Sequence, residues 1–98
     1  MDMESLMANA QGLQNKIAKA QDSLSEMHVK GIADNGAVIV DMTGKYDVVS
    51  VIINPDALSR GANAISELVA TAYKDAKGKA DVLIDEVMAK VTGGFSFN

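Results

Sequence analysis

The hydrophobic period of this chain changes twice, and that restricts it to a helix, a small sheet and a second helix. From the start, Met3, Leu6, Ala10, Leu13, Ile17, Ala20, Leu24 and Met27 recur in alternating steps of three and four. This is the seam of an amphipathic helix held over nearly four heptads. Asp2 and Glu4 stand where the positive end of a helix dipole favours acids. Nothing β-branched or prolyl interrupts before Ile17, although Gly12 costs about 1 kcal/mol relative to alanine. A glycine there can admit a second backbone.

After Met27 the period drops to two. Val29, Gly31 and Ala33 alternate with His28, Lys30 and Ile32 before Asp34-Asn35-Gly36. Asn-Gly between apolar runs is the strongest short hairpin signal, since both residues tolerate positive φ. Strands are predicted at about 27–33, 37–43 and 47–54, forming an antiparallel meander that Asn54-Pro55-Asp56 ends. Val38, Val40 and Met42 share one face with Val49, Val51 and Ile53, while Ile39, Val48 and Ile52 take the other. Burying a Val or Ile is worth about 1.5–3 kcal/mol, so something should cover the second face.

The helical period returns through Ile65, Leu68, Val69, Ala72, Ala76, Ala80, Leu83, Ile84, Val87, Met88 and Val91. It predicts a helix over about 63–92, with Asn63 as N-cap and Gly93-Gly94 as stop. Such a helix is roughly 40–45 Å long, much longer than three strands are wide, so it must overhang. The first helix overhangs too. A single α+β domain over residues 1–98 buries only roughly 60–65 % of its unfolded surface. Without cysteine, stability has to come from packing or assembly. The reading is a homodimer. Its core and dimer contacts are expected from Leu13, Ile17, Val38, Val40, Val49, Val51, Ile53, Leu83 and Val87.

Composition narrows function by exclusion. No apolar stretch approaches the ~20 residues of a membrane span, and the acids near the start do not suit a secretory leader, so a cytoplasmic chain is expected. No spacing of the HExxH, CxxC, GxSxG or phosphate-loop type occurs, and His28 has no Ser or Cys partner identifiable in sequence. Asp85 and Glu86 are adjacent on a helix and diverge by about 100°. Neither catalytic residues, nor metal ligands, nor a cofactor, nor a small-molecule substrate is expected.

Net charge is −4, so any nucleic-acid contact must come from local placement of the nine basic residues. Lys16 and Lys19 are three apart on one helix, and Lys74 and Lys77 are three apart on the other. Asp75 with Lys79, Lys77 with Asp81 and Glu86 with Lys90 also have i,i+4 spacing worth about 0.3–0.5 kcal/mol. Composition alone therefore favours solvated helix faces, and the six methionines read as core filler.

The order of motifs resembles the YbaB/EbfC family of small bacterial nucleoid-associated proteins over nearly the whole chain. The opening helix Leu6-Met7-Ala8-Asn9-Ala10-Gln11-Gly12-Leu13-Gln14-Asn15-Lys16 is similar to the family's Gln- and Met-rich first helix. Val29-x-Gly31, Gly36-x-Val38-x-Val40, Gly44 and Val51-x-Ile53-Asn54-Pro55-x-x-Leu58 follow its strand pattern. The segment Glu67-Leu68-Val69-Ala70-Thr71-Ala72-Tyr73-Lys74-Asp75-Ala76 resembles its second helix. The resemblance implies a tweezer-like dimer joined through the sheets, which binds duplex DNA with low or variable sequence preference in the nucleoid. It makes Lys16, Lys19, Lys74, Lys77, Lys79 and Lys90 the phosphate-contact candidates. The alternative is a dimeric protein-interaction module whose helical groove holds a recombination or replication partner through Leu13, Ile17, Leu83 and Val87.

Overall fold

A computed structural model describes residues 2–93. The chain runs α1 (Met3–Glu26), β1 (His28–Ala33), β2 (Val38–Thr43), β3 (Val48–Ile53) and α2 (Ala62–Gly93), with 3-10 turns at Asp34–Gly36 and Pro55–Arg60. This is the expected order of helix, antiparallel meander and long helix.

Local chemistry explains the element ends. The Asp2 side chain accepts from the Ser5 amide at 2.8 Å and so caps α1. That amide bond also holds the Asp2 carboxyl below the usual aspartate value. The hairpin at Asn35-Gly36 is present, but Asp34 joins it, so the reversal uses three residues of positive φ (49°, 55° and 99°) and β2 starts at Val38. Arg60 reaches back to pair with Asp34. Asn54 accepts from the Asp56 amide at 3.0 Å, with Pro55 at the first position of the second 3-10 turn. Asn63, expected as the cap of α2, lies inside the helix. The helix begins one residue earlier, because Gly61 at φ 93° makes the corner and its carbonyl receives the Ile65 amide. Of the expected Gly93-Gly94 stop, Gly94 lies outside the described residues.

The strand order is β1-β2-β3. Ile32 stands opposite Ile39, which stands opposite Ile52, and Val40 sits between Gly31 and Val51. A bulge then shifts the β2–β3 register, so Val48 pairs with Met42. This corrects the assignment of faces read from strict alternation. Val48, not Val49, joins Val40 and Val51 on the side of α2, and Val49 is the extra residue that the bulge absorbs.

The core lies between the sheet and α2. Val38, Val40 and Met42 are fully buried against Ala72, Ala76 and Ala80, one alanine per helical turn. Small residues let the helix come very close. A Cβ on Gly31 would stand 1.9 Å from the Ala72 carbonyl oxygen. Ala20 and Leu24 are the buried residues of α1, and Leu13, Ile17, Leu83 and Val87 are half-buried. The rest overhangs. The radius of gyration is 19.2 Å, against about 13 Å for a compact domain of this length.

The two edges of the sheet differ. On β1, Asp75 accepts from the Ile32 amide at 2.9 Å and Lys79 donates to the Lys30 carbonyl at 2.7 Å, the two side chains being 3.1 Å apart. An i,i+4 pair on α2 thus satisfies the backbone groups that a neighbouring strand would use. The Ile32 amide first, and Lys79 second, hold the Asp75 carboxyl below its usual value. Nothing comparable is seen on β3 among the described residues, where Val48, Val49, Val51 and Ile52 are all exposed.

Candidate nucleic-acid interface

A phosphate backbone is gripped best by cations that stand together. The six candidate lysines divide on that criterion. Lys16 and Lys19 of α1 and Lys90 of α2 line one groove, about 410 Å³ in volume, where the two helices run side by side. Its floor is Ala20, Ser23, Met27, Val87 and Val91. The antiparallel packing of α1 on α2 makes this convergence, since it sets the last turns of α2 beside the middle of α1.

The other three lysines point to different neighbours. Lys79 is held by Asp75 and by the Lys30 carbonyl. Lys77 lies 3.9 Å from Asp81 and 5.6 Å above the Tyr46 ring, a cation–π distance. Tyr46 donates to Asp81, and this bond raises the Tyr46 phenol above its ordinary value. Lys74 lines a groove beside β3, formed mainly by Val40, Val48, Val51, Val69 and Tyr73, and on its other side shares a groove on α2 with Asp75, Gly78, Lys79 and Val82. Lys74 and Lys77, three apart on one helix, are therefore not brought together as a cationic pair. Of the three i,i+4 pairs to which sequence spacing pointed, Asp75–Lys79 and Lys77–Asp81 form bridges among the described residues, whereas Glu86 and Lys90 do not. The pairing of Lys90 with Lys16 and Lys19 had no signal in sequence, because it depends on how two helices cross.

His28 Nδ1 is 2.7 Å from an Asp41 carboxylate oxygen on the sheet surface away from α2. Among the described residues, no three His, Asp or Glu side chains gather where a metal could be held. No described helix is long and apolar enough to cross a membrane.

Comparison with known proteins gives a consistent picture. Residues 1–95 match the YbaB/EbfC DNA-binding family. The chain is 37 % identical over 94 residues to nucleoid-associated protein bll8115 of Bradyrhizobium diazoefficiens, covering 95 % of this chain and 89 % of that protein. It is 38 % identical over 89 residues to nucleoid-associated protein BAV0915 of Bordetella avium, covering 91 % and 82 %. In fold it is similar to the crystal structure of the uncharacterized protein HP0035 from Helicobacter pylori, with a TM-score of 0.79 at 16 % identity over 92 % of this chain and 96 % of that one.

Proposed function

The chain belongs to the YbaB/EbfC DNA-binding family, and on that basis we propose that it binds duplex DNA as a nucleoid-associated homodimer through the cationic end of its paired helices. The observation that carries this reading is the convergence of Lys16, Lys19 and Lys90 on one groove. Lys74 adds a more distant contact. Lys77 and Lys79 contribute less, since Asp81 and Asp75 already balance them. Few guanidinium groups are available to read bases, Arg60 being the only arginine and engaged with Asp34. Binding is therefore mainly to phosphates, with low sequence preference.

The dimer is assigned to the open side of the sheet. With the β1 edge occupied by Asp75 and Lys79, the exposed β3 edge and the apolar groove beside it are the surfaces left for a second sheet. Such a dimer carries two lysine clusters, each where the last turns of α2 meet the middle of α1, so that two stretches of backbone can be held.

The test is fluorescence anisotropy of a labelled duplex at several salt concentrations, with solution mass measured alongside. If four to six phosphates are neutralised per dimer, log K falls against log salt with a slope of about −3.6 to −5.4. Lys16→Gln or Lys90→Gln should each flatten the slope by about one for every phosphate no longer held, or about two in a symmetric dimer, whereas Lys77→Gln should leave it nearly unchanged. Equal effects from Lys77 and Lys90 would refute the division of the lysines. A dimer that ignores DNA at low salt, yet holds a partner protein at high salt, would favour the alternative of a helix-binding groove.

A further inference from the structure

We propose that the outer half of α1 pairs antiparallel with the same segment of a second copy of this chain, an inference independent of the DNA reading. The last turns of α2 lie beside Lys16 and Ala20, so residues 3–10 of α1 extend past the described end of α2 with their seam uncovered, and Leu13 beyond them is only half-buried. Met3 is 76 % exposed, Leu6 51 % and Met7 59 %. An unpacked helical segment of this length is marginal in water. Its surface needs a cover, and the pattern of charge identifies a second copy as that cover.

Residues 5–15 carry no charged side chain, the longest such run in the chain. Two molecules of net charge −4 meet with least repulsion there. The run is bracketed by acids on one side, Asp2 and Glu4, and by Lys16 and Lys19 on the other. Written as heptads, Met3 and Ala10 take a, Leu6 and Leu13 take d, Met7 takes e, and Asp2, Asn9 and Lys16 take g. In an antiparallel pair, a faces d and g faces g.

The register that sets Met3 on the partner's Leu13 and Leu6 on the partner's Ala10 has further consequences. Met7 meets the partner's Met7 and Asn9 meets the partner's Asn9 at the twofold axis. At both ends Asp2 meets the partner's Lys16. In a parallel pair the same two charges would face Met7 and Gln21, and no ion pair would form. The antiparallel arrangement also opposes the two helix dipoles.

Native cysteine is absent, which allows a direct test on the full chain without DNA. Met7→Cys, treated with a short bis-maleimide, should give covalently linked pairs of chains. Asn15→Cys, on the opposite face of α1, should not. Adding Lys16→Glu to Met7→Cys sets a carboxylate against the partner's Asp2 and should lower the linked yield about tenfold. Adding Asp2→Lys should do the same. Mixing these two chains restores opposite charges at both ends and should recover linking between them, a result that loss of helix or of fold cannot produce. Equal linking at positions 7 and 15, no loss with Lys16→Glu, or no recovery on mixing would overturn the proposal. Absence of linking, with the thiol introduced at position 7 shielded from a mono-maleimide, would also overturn it, and would assign the seam to another part of the same chain.

Discussion

Replacing Gly31 by alanine tests the packing that holds the two helices at their present positions. The added Cβ would stand 1.9 Å from the Ala72 carbonyl oxygen, 2.4 Å from the Ala76 nitrogen and 2.7 Å from the Ala76 Cβ. Ordinary contact begins near 3.4 Å, so α2 must retreat by about 1.5 Å. Two of the three obstacles are backbone atoms in the middle of a helix, so no rotamer change can relieve the clash. Retreat also opens the packing of Ala72, Ala76 and Ala80 on Val38, Val40 and Met42. Overpacking costs typically 1–3 kcal/mol, and a backbone obstacle places this case near the top, at about 3 kcal/mol. For a domain of this size that lowers Tm by roughly 12–24 °C. The assay is thermal unfolding followed by far-ultraviolet circular dichroism, at one fixed chain concentration because assembly shifts Tm. Gly78→Ala is the control. It lies in α2 with nothing within 4 Å of its Cβ, and should be stabilising by about 0.5–1 kcal/mol. A Gly31→Ala protein melting within about 4 °C of the parent would mean a cost below about 1 kcal/mol and refute the close approach.

Met42→Ala removes the largest fully buried side chain of the sheet and should cost about 2–5 kcal/mol, read from chemical denaturation with unchanged m-value. Acid should loosen the β1 edge. Asp75 has a lowered carboxyl pKa, so its contribution is complete above the unfolded aspartate value and is lost as pH falls through the lower folded one. The protection of the Ile32 amide against hydrogen exchange, taken relative to the intrinsic rate at each pH, should therefore fall on acidification, and Asp75→Asn should blunt that response; a protection factor that does not change with pH would count against the lock. Tyr46 should ionise above the ordinary phenol value in an alkaline absorbance titration, and Asp81→Asn should bring it back toward that value. Its raised phenol stabilises the fold below the unfolded tyrosine value, and that contribution fades as pH rises through the folded one.

The elements and their order were legible along the chain because the signals that mark them are local. A seam repeating every three or four residues, the shift to alternation at His28 and the Asn35-Gly36 turn each involve neighbours a few positions apart. Bridges at i,i+4 were legible for the same reason, as Asp75–Lys79 and Lys77–Asp81 show. Strict alternation holds for Val51 and Ile53 but fails at Val48 and Val49, since a bulge adds one residue and inverts the assignments on the far side of it, at the start of the strand. A side-chain cap at Asn63 would start α2 two residues late, because Gly61 makes the corner instead. Which lysines stand together was decided only when the helices packed. Lys90 joins Lys16 and Lys19 through the crossing of α1 and α2, while Lys79 is held on a carbonyl 49 positions away. The same holds for the sheet edges. Asp75 reaches the Ile32 amide across 43 positions, a contact that exists because Gly31 and three alanines let α2 lie almost on the strand, and no periodicity along one segment records how closely another will approach it.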